Sequence, residues 1–155
     1  MKISDDDYLW FAGRALDGMA AILAELGDER ANRRPPLPGA NTPFAIVTHC
    51  LGVLEFWAGS LVAGRAVERD RDAEFTASGP VHPLIERVAA AKEQLRADLA
   101  AAESAAPLRA PASAGYADTP AGRSQGGALQ HVYEELAQHH GHLELTRDIL
   151  LQESR

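Results

Sequence analysis

The strongest constraint on the fold is an apolar repeat at helical spacing near the end of the chain. Along residues 129–150 an aliphatic side chain recurs every three, four or seven positions, at Leu129, Val132, Leu136, Leu143 and Leu150. At about 100° per residue these side chains share one face of an α-helix. A helix with one apolar face buries it against other elements, so the segment predicts one helix of a bundle.

Beside this apolar face lies a group of side chains that commonly bind metals. Four of the six histidines fall within residues 131–142. His131, Glu135, His139 and His142 share an arc of roughly 80°. Imidazole and carboxylate are usual donors for zinc and related ions, and an i, i+4 pair sets two donors one turn apart. We therefore predict that Glu135 and His139 bind a metal, a solvated polar face being the alternative.

A third ligand is predicted upstream. His49 lies in residues 43–54, where apolar side chains dominate every helical face, so its ring is expected to point inward. A lone inward histidine is usually a hydrogen-bonded core residue. Facing Glu135 and His139, it completes the set of two nitrogens and one carboxylate found in catalytic zinc sites, which leave positions open for water or substrate. If His49 faces solvent, the chain is a bundle without a metal.

Capping residues, glycines and prolines divide the chain into four predicted helices and indicate an all-α four-helix bundle with long loops between helices 1 and 2, 2 and 3, and 3 and 4. No strand-like alternation appears, and the length of 155 residues predicts one domain over residues 1–155. The predicted helices run from the cap Ser4 to Gly27, from Thr42 and Pro43 to about Gly64, from about Pro83 to before Pro107, and from Gly126 or Gly127 to about Gln152.

Two predicted loops carry candidate binding residues. The charged residues 65–74 are predicted to form a solvated loop, with contact between Arg65 and an anionic ligand as the alternative. A loop rich in Ala, Pro, Gly and Ser runs from Pro107 to about Gln125 and is long enough to cover the metal. Arg123 precedes two glycines at the start of the last helix, which predicts either a flexible start or an anion cradle.

Composition narrows the class of protein. With 46% hydrophobic residues, the chain has no uninterrupted apolar run near the ~18 residues of a membrane span. Residues 1–7 are acidic, unlike a signal peptide, so we expect a cytoplasmic protein with no membrane partner. The one cysteine, Cys50, is interpreted as a small core residue. A net charge of −7 argues against nucleic acid as a partner.

Three stretches give the chain a family resemblance: residues 41–57 (NTPFAIVTHCLGVLEFW), 64–75 (GRAVERDRDAEF) and 131–148 (HVYEELAQHHGHLELTRD). The pattern Glu-x-x-x-His-x-Gly in the last stretch is the most specific. The chain resembles the DinB-like superfamily of metal-binding four-helix bundles, which includes mycothiol-dependent maleylpyruvate isomerases and related thiol S-transferases. One difference is residues 140–142, where close relatives often read Arg-Gly-Gln.

The resemblance implies a metal bound by His49, Glu135 and His139, with zinc as the expected metal and nickel as the alternative. It also implies that a low-molecular-weight thiol such as mycothiol attacks a small electrophile, which makes the chain a thiol S-transferase or isomerase. His142 and His131 are then candidate catalytic residues, and a homodimer is possible for such bundles. The competing hypothesis is a non-catalytic module that uses the same metal to bind or sense a small molecule.

Overall fold

The computed structural model describes residues 3–152, and no strand occurs in that range. Met1 and Lys2 of the acidic N-terminal segment, and both ends of the predicted 1–155 domain, lie outside it. The predicted all-α bundle is confirmed. Its elements are α1 (Asp5–Ala31), α2 (Pro43–Leu54) continuing into a π-helix (Glu55–Val62), α3 (Arg71–Glu74), α4 (Val81–Ala100), a 3₁₀ turn (Ala114–Tyr116), α5 (Pro120–Arg123) and α6 (Gln125–Gln152).

Helix α1 begins where its cap predicts but ends later. The Ser4 side chain accepts a hydrogen bond from the backbone N–H of Asp7 at 3.1 Å. The predicted end at Gly27 is wrong, because the helix resumes after this residue and reaches Ala31. Gly27 has φ 65° and ψ 179°. A residue without Cβ adopts this conformation at little cost, so the glycine kinks the helix without ending it.

Helix α2 carries the most apolar stretch of the chain into the core. Thr42 caps it by accepting from the N–H of Ala45 at 3.1 Å. The wider π-helical turns end at Val62, two residues before Gly64, which has φ 76° and is the predicted end. Residues Pro43–Val62 have the length and mean hydropathy (1.5) of a membrane span, yet 78% of that window is buried inside the bundle. Burial of this kind is typical of a core helix.

Pairs of contacting side chains give the directions of the four long helices. Lys92 bonds Asp17 and the N–H of Val81 bonds Asp28, so α4 runs antiparallel to α1. Tyr8 donates to the carbonyl of Leu129 at one end, and Arg147 pairs with Glu25 at the other, so α6 runs parallel to α1. Helix α2 faces α6 in antiparallel sense, since His49 lies near residue 135 and Trp57 near residue 131. Consecutive helices α2 and α4 are therefore parallel.

Parallel neighbours need a long return connection, and this one runs back along α2 through α3. The prediction of a solvated loop for residues 65–74 is wrong at Arg69 and Glu74, whose side chains are largely buried. The connection is tied to the end of α1 by Asn32, whose side-chain amide donates to the carbonyl of Gly79 and accepts from its N–H, at 2.8 and 3.0 Å. These bonds hold the segment that carries Glu74.

Helix α4 begins at Val81, slightly before the predicted Pro83, and ends at Ala100. The long connection to α6 is anchored by the buried Gln125, whose amide donates to the carbonyl of Pro107 and accepts from the N–H of Glu103. The 3₁₀ turn and α5 lie within this connection. The backbone N–H of Arg109 in this connection donates to the carbonyl of Leu61 at 2.8 Å, so the connection passes the π-helical turns that follow α2. Helix α6 starts at Gln125, within two residues of the predicted start.

Candidate metal site

Two facing helices bring three potential metal ligands together. His49 comes from α2, whereas Glu135 and His139 come from successive turns of α6. One donor atom from each of these side chains lies within 4.8 Å of the other two. The carboxylate oxygen Oε2 of Glu135 is 3.3 Å from Nε2 of His49 and 3.5 Å from Nε2 of His139. The cluster can hold a metal ion, since two imidazoles and one carboxylate form a common donor set.

The hydrogen bonds of His49 indicate which of its atoms is free to bind. Its Nδ1 lies 2.8 Å from Oε2 of Glu74, and this carboxylate also accepts two bonds from Arg69. An ionised carboxylate only accepts, so Nδ1 carries the proton. In a neutral ring Nε2 is then an acceptor, facing another acceptor on Glu135. A cation between these two atoms satisfies both, so the residues fit a metal.

Glu135 supplies a permanent negative charge. The neighbouring imidazoles of His139 and then His49 hold the pKa of its carboxyl well below the usual range, although partial burial opposes the shift. The carboxylate is therefore ionised at neutral pH. Its side chain is 22% exposed and that of His139 is 25% exposed, whereas His49 is only 6% exposed. Solvent therefore reaches the cluster from the α6 side.

His139 has one unusual atom. Its Nδ1 is buried and has no hydrogen-bond partner, unlike the other buried side-chain nitrogen and oxygen atoms of residues 3–152. Leaving a buried polar atom unpaired costs about 1–3 kcal/mol. An unpaired buried atom of this kind is explained in native proteins by a catalytic role, by strain, or by a bound water or ion. The unpaired Nδ1 agrees with a ligand role of this ring through Nε2.

His131 lies deeper in the bundle, one turn before Glu135. Its ring packs against Trp57 at 4.6 Å and Tyr116 at 4.9 Å between centroids. Its Nε2 lies 3.9 Å from Oε1 of Glu135, too far for a hydrogen bond but close enough to attract the carboxylate. Tyr116 comes from the long connection between α4 and α6, which therefore covers the His131 side of the cluster.

His142 lies on the solvent side of the cluster. Its ring centroid is 5.9 Å from that of His139. Partial burial and the charge of His139 lower the pKa of His142, so its ring is neutral at pH 7. The adjacent His140 turns away and packs over Gly18 of α1. Of the three histidines in residues 139–142, two therefore face the cluster and one packs between helices.

The two arginines predicted to bind a cofactor lie away from the cluster. Arg65 donates to both carboxylate oxygens of the buried Asp98 at 2.9 Å, tying the end of α2 to α4. Arg123 donates to the carbonyl of Thr119 within α5. The backbone N–H groups of Gly126 and Gly127 already donate to Ser104 and Ser124. The start of α6 is thus tied to neighbouring segments.

Cys50 is a core residue, as the sequence indicates. It is fully buried, and burial raises the pKa of its thiol, with smaller effects from the charges of Glu135 and Glu74. A thiol in this environment stays protonated and is a poor nucleophile. The cluster of His49, Glu135 and His139 therefore has no reactive protein thiol at hand.

Sequence reasoning missed Glu74, Arg69 and Phe75. Glu74 and Arg69 form the bonded pair behind His49, and the Phe75 ring stacks on the imidazole with centroids 4.8 Å apart and planes at 27°. Arg71 in turn lies over Phe75 at 5.2 Å. In sequence these residues resemble an ordinary charged loop. A signal was present in residues 64–75, which belong to the family resemblance, but nothing in their spacing predicts contact with α2.

Comparison with protein-family models matches residues 11–152 to the family described as mycothiol S-transferase. No curated protein matches the chain. The matched range contains α2, α4 and α6, all of α1 after its first six residues, and every side chain of the cluster. The chain therefore belongs to the mycothiol S-transferase family, a member of the DinB-like superfamily.

Proposed function

We propose that the protein is a metal-dependent thiol S-transferase in which His49, Glu135 and His139 bind a divalent transition metal. A low-molecular-weight thiol such as mycothiol then attacks a small electrophile. One observation carries the proposal: in a chain of the mycothiol S-transferase family, two imidazole nitrogens and an ionised carboxylate oxygen converge within 4.8 Å on the side that solvent reaches. Three protein ligands leave coordination positions for a substrate.

A bound divalent metal supplies one chemical function, since it lowers the pKa of a coordinated thiol and favours the thiolate at neutral pH. The chain itself provides the surroundings. Glu135 contributes a charge that persists over the physiological range. Cys50 stays protonated in the core, so the nucleophilic sulfur comes from an external thiol. The electrophile approaches from the α6 side, where Glu135 and His139 are partly exposed.

His142 and His131 have different proposed roles. The neutral ring of His142 lies on the solvent side of His139, where it can accept the proton that the incoming thiol loses. His131 is buried against Trp57 and attracts the second carboxylate oxygen of Glu135, which orients that side chain. In the conjugation step the sulfur forms a bond to carbon, and the leaving group departs with the bonding electron pair.

Several finer assignments stay predictions. Zinc is the expected metal, with nickel as the alternative, and the expected location is the cytoplasm. A homodimer and an anion-binding role for Arg65 and Arg123 also stay predictions, although the guanidinium of Arg65 is bonded to Asp98. The competing hypothesis of a non-catalytic binding module is decided by whether bound thiol reacts.

Thiol binding is tested with cobalt-substituted protein, because Co²⁺ reports its ligands in its absorption spectrum. Adding mycothiol should produce a sulfur-to-metal charge-transfer band and change the visible bands. S-methyl mycothiol is the matched control, since it has the same sugar and no ionisable thiol. No spectral difference between the two compounds would contradict coordination of the thiol by the metal.

Removing the metal should lower stability without unfolding the bundle. The core of this 155-residue chain spans all four long helices, unlike small zinc modules that need their metal to fold. At a metal concentration about 100 times the dissociation constant, binding contributes about 2.7 kcal/mol, or about 5–10 °C in melting temperature. Circular dichroism before and after chelation measures both quantities. Loss of most of the helical signal after chelation would contradict this prediction and indicate that the metal is needed for folding.

A further inference from the structure

A buried carboxylate lies directly behind the metal-facing atom of His49. Glu74 accepts from Nδ1 of this ring at 2.8 Å, on the side opposite the cluster. Both side chains are less than one-tenth exposed. We propose that Glu74, held by Arg69 and seated over Gly52, is a positioning residue that fixes His49 with Nε2 directed at the metal. This inference rests on the proposed function and adds a residue that acts through His49.

Glu74 fixes the tautomer of the His49 ring. A neutral imidazole carries one proton, and a metal binds only the nitrogen without it. Because Glu74 requires a donor at Nδ1, it leaves Nε2 free and sets the plane of the ring. A carboxylate behind a histidine ligand also makes the ligating nitrogen more basic. Without Glu74 the proton of the ring is free to sit on Nε2, where it points toward Glu135 and blocks the nitrogen that would bind the metal.

Arg69 holds Glu74 in place. Arg69 donates to both of its oxygens, at 2.7 and 3.0 Å, and the Arg69 side chain is itself only 15% exposed. It also lies over the ring of Phe56 at 5.7 Å. This planar, two-point contact fixes the orientation of the carboxylate and compensates its charge. A buried carboxylate without such a partner is unfavourable, so Arg69 makes the placement of Glu74 possible.

Helix α2 leaves space for the carboxylate at Gly52. Gly52 lies one turn after His49, and a Cβ atom built on it would be 2.0 Å from Oε1 of Glu74. Any larger residue at this position displaces the carboxylate. Phe75, the next residue along, stacks on the imidazole face. The return connection therefore holds the ring at its Nδ1 edge and on one face, and leaves the Nε2 edge for the cluster.

The experiment compares two variants that disturb this arrangement differently. Glu74→Gln keeps the shape of the side chain and removes its charge, whereas Gly52→Ala keeps Glu74 and pushes it from its position. Asp98→Asn is the matched control, since Asp98 is also a buried carboxylate bonded twice by an arginine, but it contacts no histidine. Metal affinity is measured by competition with a chromophoric chelator, and ligand geometry by the Co²⁺ spectrum.

We expect both test variants to bind zinc about 10–100-fold more weakly than wild type, as is usual when the partner of a histidine ligand is lost. Their Co²⁺ spectra should also change. Asp98→Asn should lower the melting temperature but keep wild-type zinc affinity and the wild-type spectrum. If Glu74→Gln does not fold, Gly52→Ala decides, because it removes no charge from the core.

Three outcomes would overturn the inference. If wild type binds zinc and both variants match it in affinity and spectrum, Glu74 does not position His49, while the proposed function stands. If Asp98→Asn loses as much affinity as the test variants, the effect is general destabilisation. If wild type itself binds no divalent metal, the proposed function fails and the inference fails with it.

Discussion

Replacing His49, Glu135 or His139 by alanine is expected to reduce the metal content of the purified protein from about one divalent ion per chain to a small fraction of that value. Each substitution leaves two donors, and a two-ligand site on a protein surface holds a transition metal weakly. His49→Ala should have the largest effect, because its ring is the most buried of the three. Metal analysis after dialysis against a weak chelator measures the change.

The control is His82→Ala. His82 lies on α4 with its side chain 82% exposed, and it pairs with Glu86 one turn later. This variant also loses one imidazole, but one that lies outside the cluster. A lower metal content in the cluster variants and not in His82→Ala therefore reports loss of a ligand, because loss of nonspecific binding by a histidine would affect both. Full metal content in the Glu135→Ala and His139→Ala proteins at neutral pH would contradict the assignment of the cluster.

The second large effect concerns the rate of thiol conjugation. With mycothiol and a model haloarene, chelating the metal is expected to lower the rate at pH 7 by about 30-fold or more. A free thiol with pKa near 8.5 is only about 3% ionised at pH 7, so complete ionisation alone is worth about 30-fold. Orientation of the electrophile adds to this factor. Restoring zinc should restore the rate in wild type but not in His49→Ala, and conjugate formation is followed by mass spectrometry.

The pH profile provides an independent control on this rate. The uncatalysed reaction should rise about tenfold per pH unit below 8.5, because the free thiolate fraction rises in this way. The metal-dependent reaction should be nearly flat between pH 7 and 8.5, since the bound thiol is already ionised. A parallel rise in both reactions, with no metal dependence, would favour the non-catalytic binding module.

Much of the candidate site is visible in the sequence because it depends on local geometry. Glu135 and His139 are four residues apart on one helix, so their proximity follows from helical pitch alone. His49 is surrounded by apolar neighbours in α2, which predicts an inward ring before any tertiary contact is known. The structure brings the three side chains together as this reasoning indicates.

The boundaries and loops were less predictable, for separate reasons. Gly27 interrupts helical geometry at one residue, but packing of the surrounding turns allows α1 to continue to Ala31. The connection between α4 and α6 lacks a helical pattern. Its course is nevertheless defined, because the buried amide of Gln125 bonds the carbonyl of Pro107 and the N–H of Glu103. Both outcomes depend on partners that are distant in sequence, which local propensity does not report.

The sequence by itself determined the helical class, the apolar face of α6 and the i, i+4 placement of Glu135 and His139, because each depends on residues within a few turns of one another. Only the tertiary structure decided that α2 and α4 are parallel, so that the chain between them returns along α2. That return brings Glu74 and Arg69, 25 and 20 positions beyond His49, to the back of its ring. The sequence of a charged connection does not show whether its side chains face solvent or a buried imidazole. That depends on which helix the connection packs against, which only the tertiary structure decides.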